Sequence, residues 1–158
     1  MAELRVIAQN GFACDSMLHR LCVWLRMSGY HCRYFEKIDD DDLIKHCAKT
    51  REILLTGDEE LANKAASYCR VLRIHSMDYW QQLKEVVKEF KLKPRFTARF
   101  CSNCGAELKK ISKKAAKPHV WPFTYKTHSV FWCCAGCKQI YWKGSHWKKI
   151  KRKLEKLR

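Results

Sequence analysis

Two sets of side chains in this chain have the types and spacing to do chemistry. The first is cysteine: "CSNC" carries Cys101 and Cys104, and "CAGC" carries Cys134 and Cys137. Each CxxC turn aims two sulfurs at one point, and four thiolates about 2.3 Å from a shared ion make a tetrahedral structural zinc site. Gly105 and Gly136 suit the tight turns of such knuckles. The 29 residues between the pairs fit a ribbon with a loop. A redox role is the alternative for a CxxC, but that motif belongs beside a βαβ unit, and these pairs lie outside the one in this chain. Cys133 is assigned no role. Cys14, Cys22, Cys32, Cys47 and Cys69 fall at apolar positions and are expected to fill the core.

The second set is acidic: Asp15, the run Asp39 to Asp42, and Asp58. Asp15 follows the apolar "GFAC" and Asp58 follows "EILLT", so each stands just past the end of an expected strand. In an open parallel sheet the functional crevice lies at those carboxyl ends. Carboxylates converging there repel one another unless cations sit between them. Their hard oxygens suit Mg²⁺ or Mn²⁺, which activate water and neutralise charge at a phosphodiester. The plainer alternative is that each Asp only caps a helix. Of the run Asp39 to Asp42, one residue is expected to face the site, the others being a solvated helix start.

Positioning these groups takes an alternation of strand and helix. Met17, Leu18, Leu21, Cys22 and Leu25 recur at helical spacing, with Gly29 as the stop. "YHCRYF" reads as a strand, and the acidic run opens a helix through Leu43, Ile44, Cys47 and Ala48. "EILLT" is a strand buried on both faces, "EELANKAASY" a helix and "CRVLRIH" a strand. Ser76 or Asp78 then caps a helix through Leu83, Val86, Val87 and Phe90. Strand then helix, four times, predicts an α/β fold with a parallel sheet. The alternation stops near Pro94, where the cysteine-rich part begins.

Charge divides the chain at the same place. Residues 1–80 carry 11 Lys/Arg against 12 Asp/Glu, whereas residues 81–158 carry 21 against 4. A field of +17 on one half attracts phosphate backbones better than it does a membrane or an acidic protein. Eight aromatics between Trp121 and Trp147 accompany it: Trp121, Phe123, Tyr125, Phe131, Trp132, Tyr141, Trp142 and Trp147. Most are expected in the ribbon core, since a small zinc domain must build one. The end "KKIKRKLEKLR" reads as a solvated helix with Ile150, Leu154 and Leu157 on one face. No run is apolar for the roughly 18 residues a membrane span needs. "MAELRVIAQNGF" lacks a signal core, so the expected location is intracellular, cytoplasm or nucleus. Ten cysteines there are metal ligands and core rather than disulfides.

"CDSMLHRLCVWLRMSGY", "LLTGDEEL", the paired CxxC and above all "FWCCAGCKQIYWKGSHW" resemble the Mut-7 C-terminal RNase domain family. That resemblance, from about Phe12 to Trp147, implies a PIN-like nuclease fold joined to a zinc ribbon. It matches the family's motifs at Asp15 to Leu18, at Asp40 or Asp41, and at Leu55, Thr56 and Asp58. The chain departs at Gly57, where the family usually has Arg, a change that bears on activity or substrate choice.

The expected organisation is therefore a PIN-like domain over 1–93, a four-cysteine zinc ribbon over 94–147 and a basic helical tail over 148–158. The expected function is metal-dependent hydrolysis of RNA, with Asp15 and Asp58 as Mg²⁺ or Mn²⁺ ligands joined by Asp40 or Asp41, and Thr56 positioning a ligand or water. Lys143, His146, Trp147, Lys148, Lys149, Lys151 and Arg152 would grip the RNA. His146 is read as an RNA contact rather than a zinc ligand, because four cysteines complete the shell. The alternative is an RNA-binding module of a ribonucleoprotein or ribosome-associated factor that does not cut; a protein-binding zinc module is the third.

Overall fold

The structure, a computed structural model, describes residues 10–157. The reading of the first residues as lacking a secretion signal lies largely outside them. Strands β1 (Phe12–Cys14), β2 (Cys32–Tyr34), β3 (Ile53–Thr56) and β4 (Val71–Arg73) form one sheet in the order β2-β1-β3-β4. All of its pairings are parallel. Helices α1 (His19–Met27), α2 (Asp40–Thr50), α3 (Glu59–Ala65) and α4 (Tyr79–Glu89) alternate with the strands, as the hydrophobic pattern predicts. Asp78, not Ser76, caps α4, accepting from the Trp80 and Gln81 amides.

Both faces of the sheet are covered, which is why "FAC" and "ILLT" carry no polar side chain facing water. Phe12, Cys14, Ile53 and Leu55 pack with Leu21, Cys22 and Leu25 of α1 and Leu83 and Val86 of α4. Ala13 and Leu54 point the other way, onto Leu43, Ile44 and Cys47 of α2 and Leu61 and Ala65 of α3. Successive strand residues thus serve opposite cores, as the two-residue period requires. The core-filling cysteines are buried as expected, Cys69 partly so.

After α4 the chain forms a second sheet, antiparallel, in the order β5-β6-β7, from β5 (Leu108–Ile111), β6 (Phe131–Cys134) and β7 (Ile140–Trp142). Two short helices, α5 (Lys113–Ala116) and α6 (Pro122–Thr127), fill the connection from β5 to β6. Of the eight rings expected mostly in the core, Phe131 is buried and Tyr125, Trp132, Tyr141 and Trp147 are half-buried, Trp132 stacking on Trp147 at 5.4 Å, whereas Trp121, Phe123 and Trp142 are exposed.

The last helix, α7 (Ser145–Glu155), is not a free tail. It begins before the division expected at 147/148, and Leu154 is buried in the core beneath α1 and α4, with Ile150 and Leu157 packed beside it. Lys153 donates to the Tyr79 hydroxyl at 2.9 Å and lies 4.5 Å from the Trp80 ring centre, 4.9 Å from Tyr79 and 5.0 Å from Trp24. A cation enclosed by three rings is held by their negative faces. Leu154→Ala should therefore destabilise the whole chain by about 2–3 kcal/mol, as a core leucine does. Urea midpoints of the two proteins check this; a change within error would mean α7 does not dock.

Candidate functional site

The strand order reverses direction between β1 and β3: from β1 the chain crosses to β2 on one side, then returns to β3 on the other. Helices leaving a parallel sheet in opposite directions open a crevice at the carboxyl ends of those two strands. Asp15 and Thr56 stand at that crevice, with Asp58 two residues beyond Thr56. The Asp15 amide continues the ladder to the Leu55 carbonyl at 3.3 Å, so its position is tied to the sheet.

Asp15 is only 7% exposed and has both oxygens engaged. Oδ1 accepts from the Met17 amide at 2.9 Å, capping the single turn at Ser16–Leu18, and Oδ2 accepts a short hydrogen bond from the Thr56 hydroxyl. Thr56 Oγ1 in turn accepts from the Asp58 amide at 3.0 Å, linking the two acids through one hydroxyl. Asp58 Oδ1 caps α3, accepting from Leu61 at 3.0 Å. Capping and site-building are thus not alternatives: the amides that fix each carboxylate also bring the positive ends of the two turns to the crevice.

Burial pushes the Asp15 carboxyl above the ordinary Asp range, and the Asp58 charge adds to the rise. The Thr56 hydroxyl and the Met17 and Gly57 amides oppose it. Thr56→Val keeps the shape but removes the donor, so Asp15 should hold its proton to higher pH. The acid limb of a pH-rate profile is expected to move to higher pH in that variant; an unmoved limb would separate Thr56 from the titration of Asp15.

A cleft of about 160 Å³ lies over these groups, lined by Asp15, Met17, Glu36, Lys37, Asp40 and Asp58 among others. It separates the two candidates in the acidic run. Asp40 lines the cleft, whereas Asp41 points at α3, 2.6 Å from Lys64 Nζ, whose hydrogen bond holds its carboxyl below the usual range. Glu36 is a member that sequence reasoning missed. The available signal was its place two residues beyond β2, on the same edge of the sheet as Asp15.

The four ribbon cysteines converge. Cys101 and Cys137 sulfurs are 3.6 Å apart, Cys104 and Cys134 are 3.3 Å apart, and all four lie within 4.8 Å of one another. The packing is tight at Gly136, where a Cβ would lie 3.0 Å from Ala106 Cβ and 3.3 Å from Cys104 Sγ. Four soft donors at one point fit zinc, and the sheet around them is consistent with a zinc ribbon. Among the described residues, the groups of three or more donors this tightly gathered are made of cysteine; the acids of the cleft are more widely spread.

Arg26 joins the two halves. It is buried at the end of α1, with Nε donating to Cys32 O at 2.7 Å and Nη1 to the Ser102 and Asn103 carbonyls at 3.1 and 2.8 Å, inside the CSNC knuckle. Of the expected RNA contacts, Lys143, His146, Lys148, Lys149, Lys151 and Arg152 are exposed. Trp147 is engaged internally, stacked on Trp132 and edge-on to Phe96 at 4.5 Å. No helix among the described residues is long and apolar enough to cross a membrane.

Comparison with curated proteins and with solved structures finds no match. The Mut7-C RNAse domain matches residues 10–154, both sheets and the docked helix included, and the chain belongs to that RNase family.

Proposed function

We infer that this chain cuts RNA by metal-assisted hydrolysis at the cleft between β1 and β3. The observation that carries the reading is the meeting of Asp15, Asp40 and Asp58 around one cleft at the point where the sheet changes direction. The donors are hard oxygens, the set that Mg²⁺ and Mn²⁺ take. Asp15 and Asp58 would hold the ion, with Asp40 as the member of the acidic run that reaches it and Glu36 beside them. When bound, such an ion would neutralise phosphate charge and ease the loss of a proton from the attacking water.

The chain's own residues prepare that chemistry. Thr56 and the Met17 amide fix the two Asp15 oxygens, so no reorganisation is needed when RNA arrives. The same hydroxyl spaces Asp15 from Asp58. Lys37, at the cleft wall, is placed to meet a phosphate oxygen. The exposed cations of α7 and the ribbon hold the strand outside the cleft. Location inside the cell is in keeping with such a substrate.

The test is cleavage of end-labelled single-stranded and structured RNA by the purified protein with Mn²⁺, Mg²⁺ or EDTA. Products that form with either ion and vanish with EDTA support the reading. A second reading, an RNA-binding module within a ribonucleoprotein, is favoured by the spread of the acids and by Gly57. It predicts tight, salt-sensitive binding and intact RNA under every condition. Gly57 has room for a side chain: its nearest neighbours to an added Cβ are Ile74 O and Met17 Cε, both at 3.9 Å.

A further inference from the structure

From Leu108 to Leu154 the chain has 13 Lys and Arg residues and no Asp or Glu. Within that stretch, the connection from β5 to β6 ends in α6, in which no residue is buried. At its start Trp121 is 80% exposed and Phe123 74%. Elsewhere in the ribbon the rings are engaged: Phe131 is buried, and Trp132 and Trp147, both half-buried, stack on each other. Two large apolar rings exposed this fully and only two residues apart are available to a binding partner.

The backbone that carries them is fixed. Pro122 at the first helical position presets its own φ, and the Trp121 carbonyl accepts from the Tyr125 amide at 2.9 Å. Thr127 Oγ1 donates to the Phe123 carbonyl at 2.8 Å. Cations gather around Tyr125 of this helix: Lys113 of α5 lies 4.8 Å and Lys117, just after α5, 6.0 Å from the centre of its ring, and Lys126 beside it is exposed. Rings held out on a rigid turn among lysines, with no acid in the surrounding sequence, match one ligand chemistry. Every base has a π face for a ring to stack on and a phosphate beside it for a lysine.

We propose that Trp121 and Phe123 form a stacking platform for the unpaired bases of single-stranded RNA, with Lys113, Lys117 and Lys126 on the flanking phosphates. This rests on the reading of the chain as an RNA-directed protein and adds a preference to it. Bases in a duplex hide their faces in the stack, so the platform selects single strands and loops. An acidic protein surface is the competing occupant: it would satisfy the lysines but would supply no series of flat faces.

The experiment is equilibrium binding of the zinc-loaded full chain, without added Mg²⁺ or Mn²⁺, to a labelled single-stranded RNA of about 12 nucleotides, within the usual single-strand site sizes. An abasic strand of equal length and an RNA duplex are measured beside it. Trp121→Ala and Phe123→Ala should each weaken single-strand binding about tenfold, the equivalent of ~1.4 kcal/mol. They should leave affinity for the abasic strand and the salt slope unchanged, and Trp121→Phe should restore most of the loss. Because both side chains are exposed, their removal should not alter the fold. Equal affinity of native and Ala variants for single strands, or equal loss on abasic and natural strands, overturns the platform while leaving RNA binding in place. A native protein that binds no RNA overturns instead the functional reading beneath it.

Discussion

Asp15→Asn is expected to lower metal-dependent RNA cleavage by about three orders of magnitude, the several kcal/mol that a well-placed metal contributes, while leaving the protein at least as stable at neutral pH. The loss follows from removing a charge that faces the cleft from the end of β1. Asn is nearly the same size, its oxygen can accept from the Met17 amide, and Thr56 can rotate its hydroxyl to accept from the new amide. The stability follows from the titration of Asp15, whose carboxyl is raised above the ordinary Asp range chiefly by burial. The folded chain therefore binds that proton more tightly than the unfolded chain does. Stability from this group is fully present below the ordinary Asp range and is lost as pH rises through the raised value. At neutral pH the native protein bears the whole cost of an ionised, buried Asp15, and the Asn variant does not. Cleavage assays and thermal melts on the same preparation check both halves. A variant that still cuts would remove Asp15 from the site, and one that melts earlier would show its carboxylate to be a net stabiliser.

Removal of zinc should have the largest effect on the fold of the C-terminal half. Structural zinc sites of this kind contribute roughly 10–16 kcal/mol of apparent binding free energy at neutral pH, more than a sheet of three short strands can replace from its own core. One zinc per chain is expected, released by a thiol-reactive mercurial and quantified with a metallochromic dye. The Cys134→Ser variant should bind it far more weakly. Hydrogen exchange should then quicken across β5, β6 and β7 and in the CSNC knuckle. The effect should also reach the parallel sheet, because Arg26 donates two hydrogen bonds to the Ser102 and Asn103 carbonyls. With the knuckle unfolded, that buried guanidinium loses partners, which costs stability in α1. If the ribbon keeps its protection without metal, the four thiols hold no structural ion.

The elements were legible because their causes are local. β1 and β3 are short apolar runs, since each is buried on both faces, and α1, α2 and α4 carry their core residues at helical spacing. The four-cysteine cluster was legible for the same reason: each CxxC places two sulfurs by itself, and only the meeting of two pairs had to be supplied. Asp15 and Asp58 were legible because a parallel sheet must open at the ends of its strands, and both residues stand there.

What sequence distance hid was every choice between neighbours. Successive helix residues differ by about 100° in direction, so whether Asp40 or Asp41 faces the cleft depends on how α2 lies on the sheet. Lys64, from the next helix, takes Asp41 away. Glu36 joined the cleft only through the pairing of β1 with β2. The aromatics of the basic half looked alike in sequence, yet packing buries Phe131 and leaves Trp121 and Phe123 outside. The last helix read as solvated because its anchors, Trp24, Tyr79 and Trp80, lie far away along the chain. Composition, spacing and strand pattern thus determined the fold class, the four-cysteine cluster and the place of Asp15 and Asp58 at the strand ends. Only the tertiary structure decided which of several equivalent side chains face the cleft, the core or water, because that depends on partners brought by other elements.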